Sequence, residues 1–159
     1  DPKLKGRKLA WVSEKNYHLT VKFLGATAEE KLSEVIRVAQ GALSDVSSFE
    51  MEVSGAGAFP RVLWLDVKEP SSTLPAIAQK LDQALEPLGF ARETRTFVPH
   101  LTLARLKEGK PIRADRDLKS EWRERTLGKS VVREVILYQS ETRPTGAVYE
   151  AVARIALHQ

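Results

Sequence analysis

Two short patterns hold the residues best suited to chemistry, His18-Leu19-Thr20-Val21-Lys22-Phe23-Leu24 and His100-Leu101-Thr102-Leu103-Ala104-Arg105-Leu106. Each opens with His-x-Thr and runs on into β-branched, aromatic and leucine-rich residues, the composition of a strand. Strand side chains alternate faces, so positions two apart point the same way and each imidazole lies beside a hydroxyl. The chain has three histidines, and two of them head this pattern. Two imidazoles with ordinary pKa values near about 6.5 can hold opposite protonation states at neutral pH, one taking a proton while the other gives one. Two threonine hydroxyls can donate to anionic oxygens and stabilise charge that builds up in a transition state. Either pattern alone reads as a histidine satisfied by the backbone; two in matched contexts need a common cause. Two histidines without a paired carboxylate or cysteine nearby make a poor zinc site, so neither a metal nor another cofactor is expected.

The elements that would position these residues follow from periodicity. The first motif predicts a strand over 17–24 ending at Gly25. Thr27 and Glu30 have the spacing of a capping box for a helix over 28–43, whose Leu32, Val35, Ile36, Ala39 and Leu43 form an apolar stripe. Alternation predicts a strand over 49–53, the glycines of 55–58 a flexible turn, and the apolar run 62–67 an interior strand. A second helix over 71–88 carries Leu74, Ile77, Leu81 and Leu85 on one face, tolerates Pro75 in its first turn and stops at Gly89. The second motif strand lies within 94–106, 107–117 reads as a loop, and a short helix with Trp122 follows over 118–125. Strands over 131–138 and 148–157 are joined by a turn containing Pro144 and Gly146. His158 has no threonine two places on and reads as an exposed tail residue. The order is that of an α+β fold with an internal echo.

The 159 residues suit one domain with a substantial core. There are no cysteines, which excludes disulfides, thiolate chemistry and cysteine-ligated zinc. No apolar run approaches the roughly 18–20 residues of a membrane helix, and the basic N-terminus lacks a signal-like apolar core, so a cytoplasmic protein with no membrane partner is expected. The net charge of +4 suits a polyanionic partner such as RNA. Residues 1–8 contain Lys3, Lys5, Arg7 and Lys8 and read as a solvated basic arm, with phosphate contact as the functional alternative.

The residues also resemble a known family, the two-histidine (2H) phosphoesterases, and within it the RNA 2′,3′-cyclic phosphodiesterases once described as 2′-5′ RNA ligases. The resemblance is carried by Trp11, Val12 and Ser13, by Asn16-Tyr17-His18-Leu19-Thr20, and by Phe97-Val98-Pro99-His100-Leu101-Thr102. Gly57-Ala58-Phe59-Pro60-Arg61, Tyr138-Gln139-Ser140 and Gly146-Ala147-Val148-Tyr149 extend it over nearly the whole chain. It implies a single two-lobed, pseudo-symmetric domain with antiparallel sheets around a central cleft and helices outside. Relatives usually begin with an apolar strand and a helix ahead of Trp11, and their absence from this sequence would leave a sheet edge beside His18 unpaired.

The activity the resemblance implies is metal-independent opening of a 2′,3′-cyclic phosphate on an RNA end or a small nucleotide, with 2′-5′ ligation as the reverse reaction. Catalysis would fall to His18, Thr20, His100 and Thr102, with His18 as the acid toward the 3′ oxygen, His100 as the base acting on water, and a 2′-phosphate as product. Arg105 matches a phosphate-contacting arginine, yet strict alternation puts it on the face opposite His100 unless a bulge, the strand end or its own length brings it round. Phe59 reads either as a base-stacking residue or as core, and Arg61 as a contact to a flanking phosphate. Arg95 and Phe97 invite the same two readings, Lys22 shares the face of His18, and Tyr17 is expected to pack on the core. No obligatory protein partner is implied. The competing reading is an RNA- or nucleotide-binding module on the same fold, for which an acid-base pair has no use.

Overall fold

A computed structural model describes residues 4–143 and 146–159. The strands are β1 Lys8–Trp11, β2 Phe49–Phe59, β3 Val62–Lys68, β4 His100–Glu108, β5 Thr126–Val132, β6 Glu134–Arg143 and β7 Gly146–Ala156. The helices are α1 Leu32–Ala42, α2 Thr73–Leu85 and the short α3 Ala114–Asp117 and α4 Ser120–Glu124. Five strands form an antiparallel sheet in the order β1-β4-β3-β2-β5, and β6 and β7 form a separate two-stranded ribbon. No helix among the described residues is long and apolar enough to cross a membrane.

Both long helices form where their apolar periodicity lies. In α2, Leu74, Ile77, Leu81 and Leu85 are all buried on one stripe, Pro75 sits in the first turn where no intrahelical donor is lost, and Gly89 closes the element at φ 92°. The capping box does not form. A turn at Glu29–Lys31 precedes α1, and the Thr27 hydroxyl donates to the Gly25 carbonyl instead. Val35 and Ala39 of α1 join the α2 stripe, Phe49, Val67 and Ile155 in the larger core. A second core gathers Leu63, Ala104, Leu106, Ile112 and Leu118.

Five local expectations are corrected by the structure. The glycines of 55–58 are no turn but the second half of β2. Gly55 takes φ 46° at a register shift, where a β-carbon would collide with the Arg123 carbonyl of α4. The run 131–138 is divided at Arg133, its first part closing the large sheet in β5 and the rest opening the ribbon. The residues around Arg7 are no solvated arm: its guanidinium meets the buried Asp117 at 2.6 Å and Lys8 pairs with Glu108. Lys3 and Pro144 lie outside the described residues. Finally, 17–24 is no regular strand: the chain bends at Val21 and, among the described residues, its one bridge is Leu19 to Leu101, antiparallel. Tyr17, expected in the core, is 40% exposed. His158 is exposed as anticipated, yet its ring bonds the Ser44 carbonyl and its backbone lies beside Ser47.

Candidate active site

The second motif is embedded in the sheet. Across β3 and β4, Asp66 stands opposite His100, Trp64 opposite Thr102 and Val62 opposite Arg105. Opposed residues of an antiparallel pair share a face, so His100, Thr102 and Arg105 lie together with Asp66, Trp64 and Val62. Leu63 and Ala104, which oppose each other on the other face, are buried in the second core. The partner of Leu63 is Ala104 whereas that of Trp64 is Thr102, which leaves Leu103 as an extra residue in β4. This β-bulge resolves the conflict over Arg105: one unpaired residue inverts the alternation and returns the arginine to the histidine face.

The first motif approaches along the other edge of β4. With Leu19 bridged to Leu101, the antiparallel register one residue to either side sets His18 against Thr102 and Thr20 against His100. The bridge thus lies on a local twofold axis that exchanges the two His-x-Thr pairs. The pseudo-symmetry extends to the rings. His18 Nδ1 lies 2.8 Å from the Asn16 carbonyl oxygen and His100 Nδ1 lies 2.7 Å from that of Val98. A carbonyl only accepts, so each Nδ1 carries a hydrogen and each Nε2 is left as the nitrogen that can take up or deliver a proton.

Each imidazole also has an aromatic wall. Phe59 stands edge-on to His100 with centroids 5.3 Å apart, and Trp64 lies 6.1 Å from the same ring. Trp64 fits because it crosses Gly57, where any β-carbon would collide with the indole. Phe59 is 37% exposed and belongs to neither core cluster. Around His18 the wall is Tyr149 at 4.7 Å and Tyr138 at 6.4 Å, which share a face of the ribbon with Ser140.

The remaining cations differ in how they are held. The Lys22 ammonium is paired with Asp82 on α2 and donates to the Ala91 carbonyl at 2.6 Å, holding the Asp82 carboxyl below the usual carboxylate range. That side chain is only 8% exposed, so it fastens the first motif to α2 instead of offering an open charge. The Arg61 guanidinium donates to the carbonyls of Leu106 and Lys107 at 2.9 and 3.1 Å and ties the β2–β3 loop to the end of β4. Arg95 lies exposed in the segment leading to His100, its backbone N–H bonded to the Glu93 carboxylate. Among the described residues no group of three or more His, Cys, Asp or Glu side chains is placed to hold a metal.

Sequence reasoning assigned no role to Trp64, Asp66, Tyr138 or Tyr149. Trp64 and Asp66 were legible in principle, because alternation from Val62 places them on one face; only the β4 register identifies that face as the histidine one. The tyrosines stood only within stretches that carry the family resemblance, and no periodicity pointed to His18, which the ribbon meets through tertiary packing.

A model of the 2′-5′ RNA ligase superfamily matches residues 7–144. The RNA 2′,3′-cyclic phosphodiesterase of Methanothermobacter thermautotrophicus is 35% identical over 147 residues, which cover 89% of this chain and 79% of that protein. Among solved structures, TT0787 of Thermus thermophilus superposes with a TM-score of 0.79 at 25% identity, covering 98% of this chain and 86% of the other. LigT of E. coli complexed with 3′-AMP superposes with a TM-score of 0.74 at 28% identity, covering 94% and 80%. With its two His-x-Thr pairs related across one β-bridge and this match over most of its length, the chain belongs to the 2′-5′ RNA ligase superfamily.

Proposed function

We propose that this protein hydrolyses 2′,3′-cyclic phosphates on RNA ends or small nucleotides by two-histidine acid-base catalysis, leaving a 2′-phosphate. The observation that carries the reading is the antiparallel bridge between Leu19 and Leu101, with an Nε2 released for proton transfer on each side of it. In the reaction, one Nε2 takes a proton from water as its oxygen attacks phosphorus. The bond from phosphorus to the 3′ oxygen breaks, and the other Nε2 protonates that oxygen. Thr20 and Thr102 donate to the non-bridging oxygens, and Arg105, returned to this face by the bulge, neutralises their charge. Phe59 offers a ring beside the scissile group on which a base can stack, and Arg95 is placed in the segment that enters the second motif. The assignment of His18 as acid and His100 as base rests on family resemblance, because both rings carry the same Nδ1 anchor. With an RNA 5′-hydroxyl in place of water as the nucleophile, the same opening of the bond from phosphorus to the 3′ oxygen forms a 2′-5′ linkage. A reducing cytoplasmic setting agrees with the absence of cysteine.

The test is hydrolysis of a nucleoside 2′,3′-cyclic phosphate in excess chelator, with the product isomer identified. His18→Ala and His100→Ala should each lower turnover by about 10²- to 10⁴-fold, and the parent should release the 2′-phosphate. A folded parent that binds the substrate and releases no product would return the assignment to a binding module. On an analogue whose leaving oxygen needs no protonation, His18→Ala should recover and His100→Ala should not; the reverse would exchange the two roles.

A further inference from the structure

The two motifs are alike in sequence but not in support. His100 lies inside β4, paired to β3, and its ring is walled by Phe59 and Trp64 of the same sheet. His18 lies in a segment held to that sheet by the Leu19–Leu101 bridge. The Asn16 carbonyl that meets its ring belongs to the turn Glu14–Asn16, and the aromatic contacts of the ring lead to the ribbon. Its Nδ1–H donates to the Asn16 carbonyl at 2.8 Å, the Asn16 side-chain amide donates to the Ala147 carbonyl of β7 at 2.9 Å, and Tyr149 of β7 packs on the imidazole at 4.7 Å. Tyr149 is half-buried and Tyr138, 41% exposed, lies against it edge-on at 6.0 Å.

From this asymmetry we infer that Tyr149 is a positioning residue for His18, and that the β6–β7 ribbon, through Tyr149 and the Asn16 clasp, fixes the plane and tautomer of this one histidine. The inference rests on His18 acting as a proton-transfer group in the function proposed above. Its physical basis is that a neutral imidazole keeps its hydrogen on Nδ1 only while the ring faces the Asn16 carbonyl. Rotation about the side-chain bonds breaks that bond and turns Nε2 away from the cleft. A ring packed on one side of the imidazole opposes the rotation through contact area and does not require its own hydroxyl. His100 needs no such brace, because the sheet supplies both its backbone and its wall.

The experiment reads the ring directly, by nitrogen-15 NMR of the imidazoles in the parent, Tyr149→Ala, Tyr149→Phe and Asn16→Ala, beside steady-state kinetics on a nucleoside 2′,3′-cyclic phosphate. In Tyr149→Ala the His18 nitrogens should move from the Nδ1–H pattern toward a mixture of tautomers, while those of His100 stay in place and report an intact fold. The same variant should lose about 10- to 100-fold in kcat, with KM within about twofold of the parent. Tyr149→Phe should recover most of the loss, and Asn16→Ala should reproduce the His18 change without touching the aromatic wall. Unchanged His18 nitrogens in both Tyr149→Ala and Asn16→Ala would overturn the inference. So would a Tyr149→Phe variant as impaired as Tyr149→Ala, which would make the hydroxyl the active group. If Tyr149→Ala loses the His100 pattern as well, Asn16→Ala decides alone. A His18→Ala variant with undiminished turnover would instead defeat the functional reading, and the NMR comparison would still report the brace.

Discussion

Asp117 shows how a single residue outside the cleft sets conditions for the whole. It accepts from the guanidinium groups of Arg116 and Arg7 and from the Arg113 N–H. Chiefly through Arg116, and against the pull of its own burial, its carboxyl is held at about 2. A carboxylate depressed in the folded state contributes stability that is fully present above its unfolded pKa of about 3.9 and is lost as pH falls through about 2. Asp117→Asn should therefore lose about 3 kcal/mol at neutral pH, roughly 6–12 °C in Tm, and should flatten the acid limb of stability between those two values. Thermal unfolding of the parent and the variant from pH 2 to 7 measures both effects. The threonines call for a kinetic test. If they donate to the developing oxyanion, Thr20→Ala and Thr102→Ala should each cost about 10²- to 10³-fold in kcat with a smaller change in KM. A rise in KM at constant kcat would place their contacts in substrate binding only.

At the scale of elements, the two histidine segments differ in how the backbone is held. β4 is paired along His100–Glu108 by β3 and β1 between them, whereas 17–24 makes one bridge and otherwise relies on side chains, Leu19, Val21 and Leu24 packing on the larger core and Lys22 paired to Asp82. Unpaired backbone amides open with little free-energy cost. Hydrogen exchange followed by mass spectrometry should show 17–24 exchanging well ahead of 100–106, and equal protection of the two would contradict this account of the sheet. The same comparison explains what was legible at this scale. The two long helices were read in place, though expected over 28–43 and 71–88 and found at Leu32–Ala42 and Thr73–Leu85, because a stripe at 3.6-residue spacing is a local property of the chain. The β2 glycines were misread as a turn because their conformation is set by what approaches them, the Arg123 carbonyl at Gly55 and the Trp64 indole at Gly57. The strand expected over 17–24 has the right composition, and among the described residues it is paired only at Leu19 with Leu101.

Over the whole molecule the net charge of +4 favours a polyanion without naming one. An RNA end brings flanking phosphates whose counterions are released on binding, whereas a mononucleotide brings one charged group. KM for an oligoribonucleotide ending in a 2′,3′-cyclic phosphate should thus rise more steeply with salt between about 50 and 200 mM than KM for a nucleoside 2′,3′-cyclic phosphate. Parallel slopes would confine recognition to the terminal nucleotide. The sequence by itself determined the two His-x-Thr pairs and the pairing of each imidazole with a hydroxyl, because alternation on an extended chain needs only neighbours. It determined the two amphipathic helices and the glycine stop of the second for the same reason. Tertiary structure alone decided that Arg105 shares the histidine face, since the bulge at Leu103 exists only against β3. It alone decided that Lys22 pairs with Asp82, that Arg61 donates to the Leu106 carbonyl and that two tyrosines more than a hundred residues along the chain close on His18. Those outcomes depend on which strands meet and in what register, a choice made by the packing of the whole chain and written in no local stretch of it.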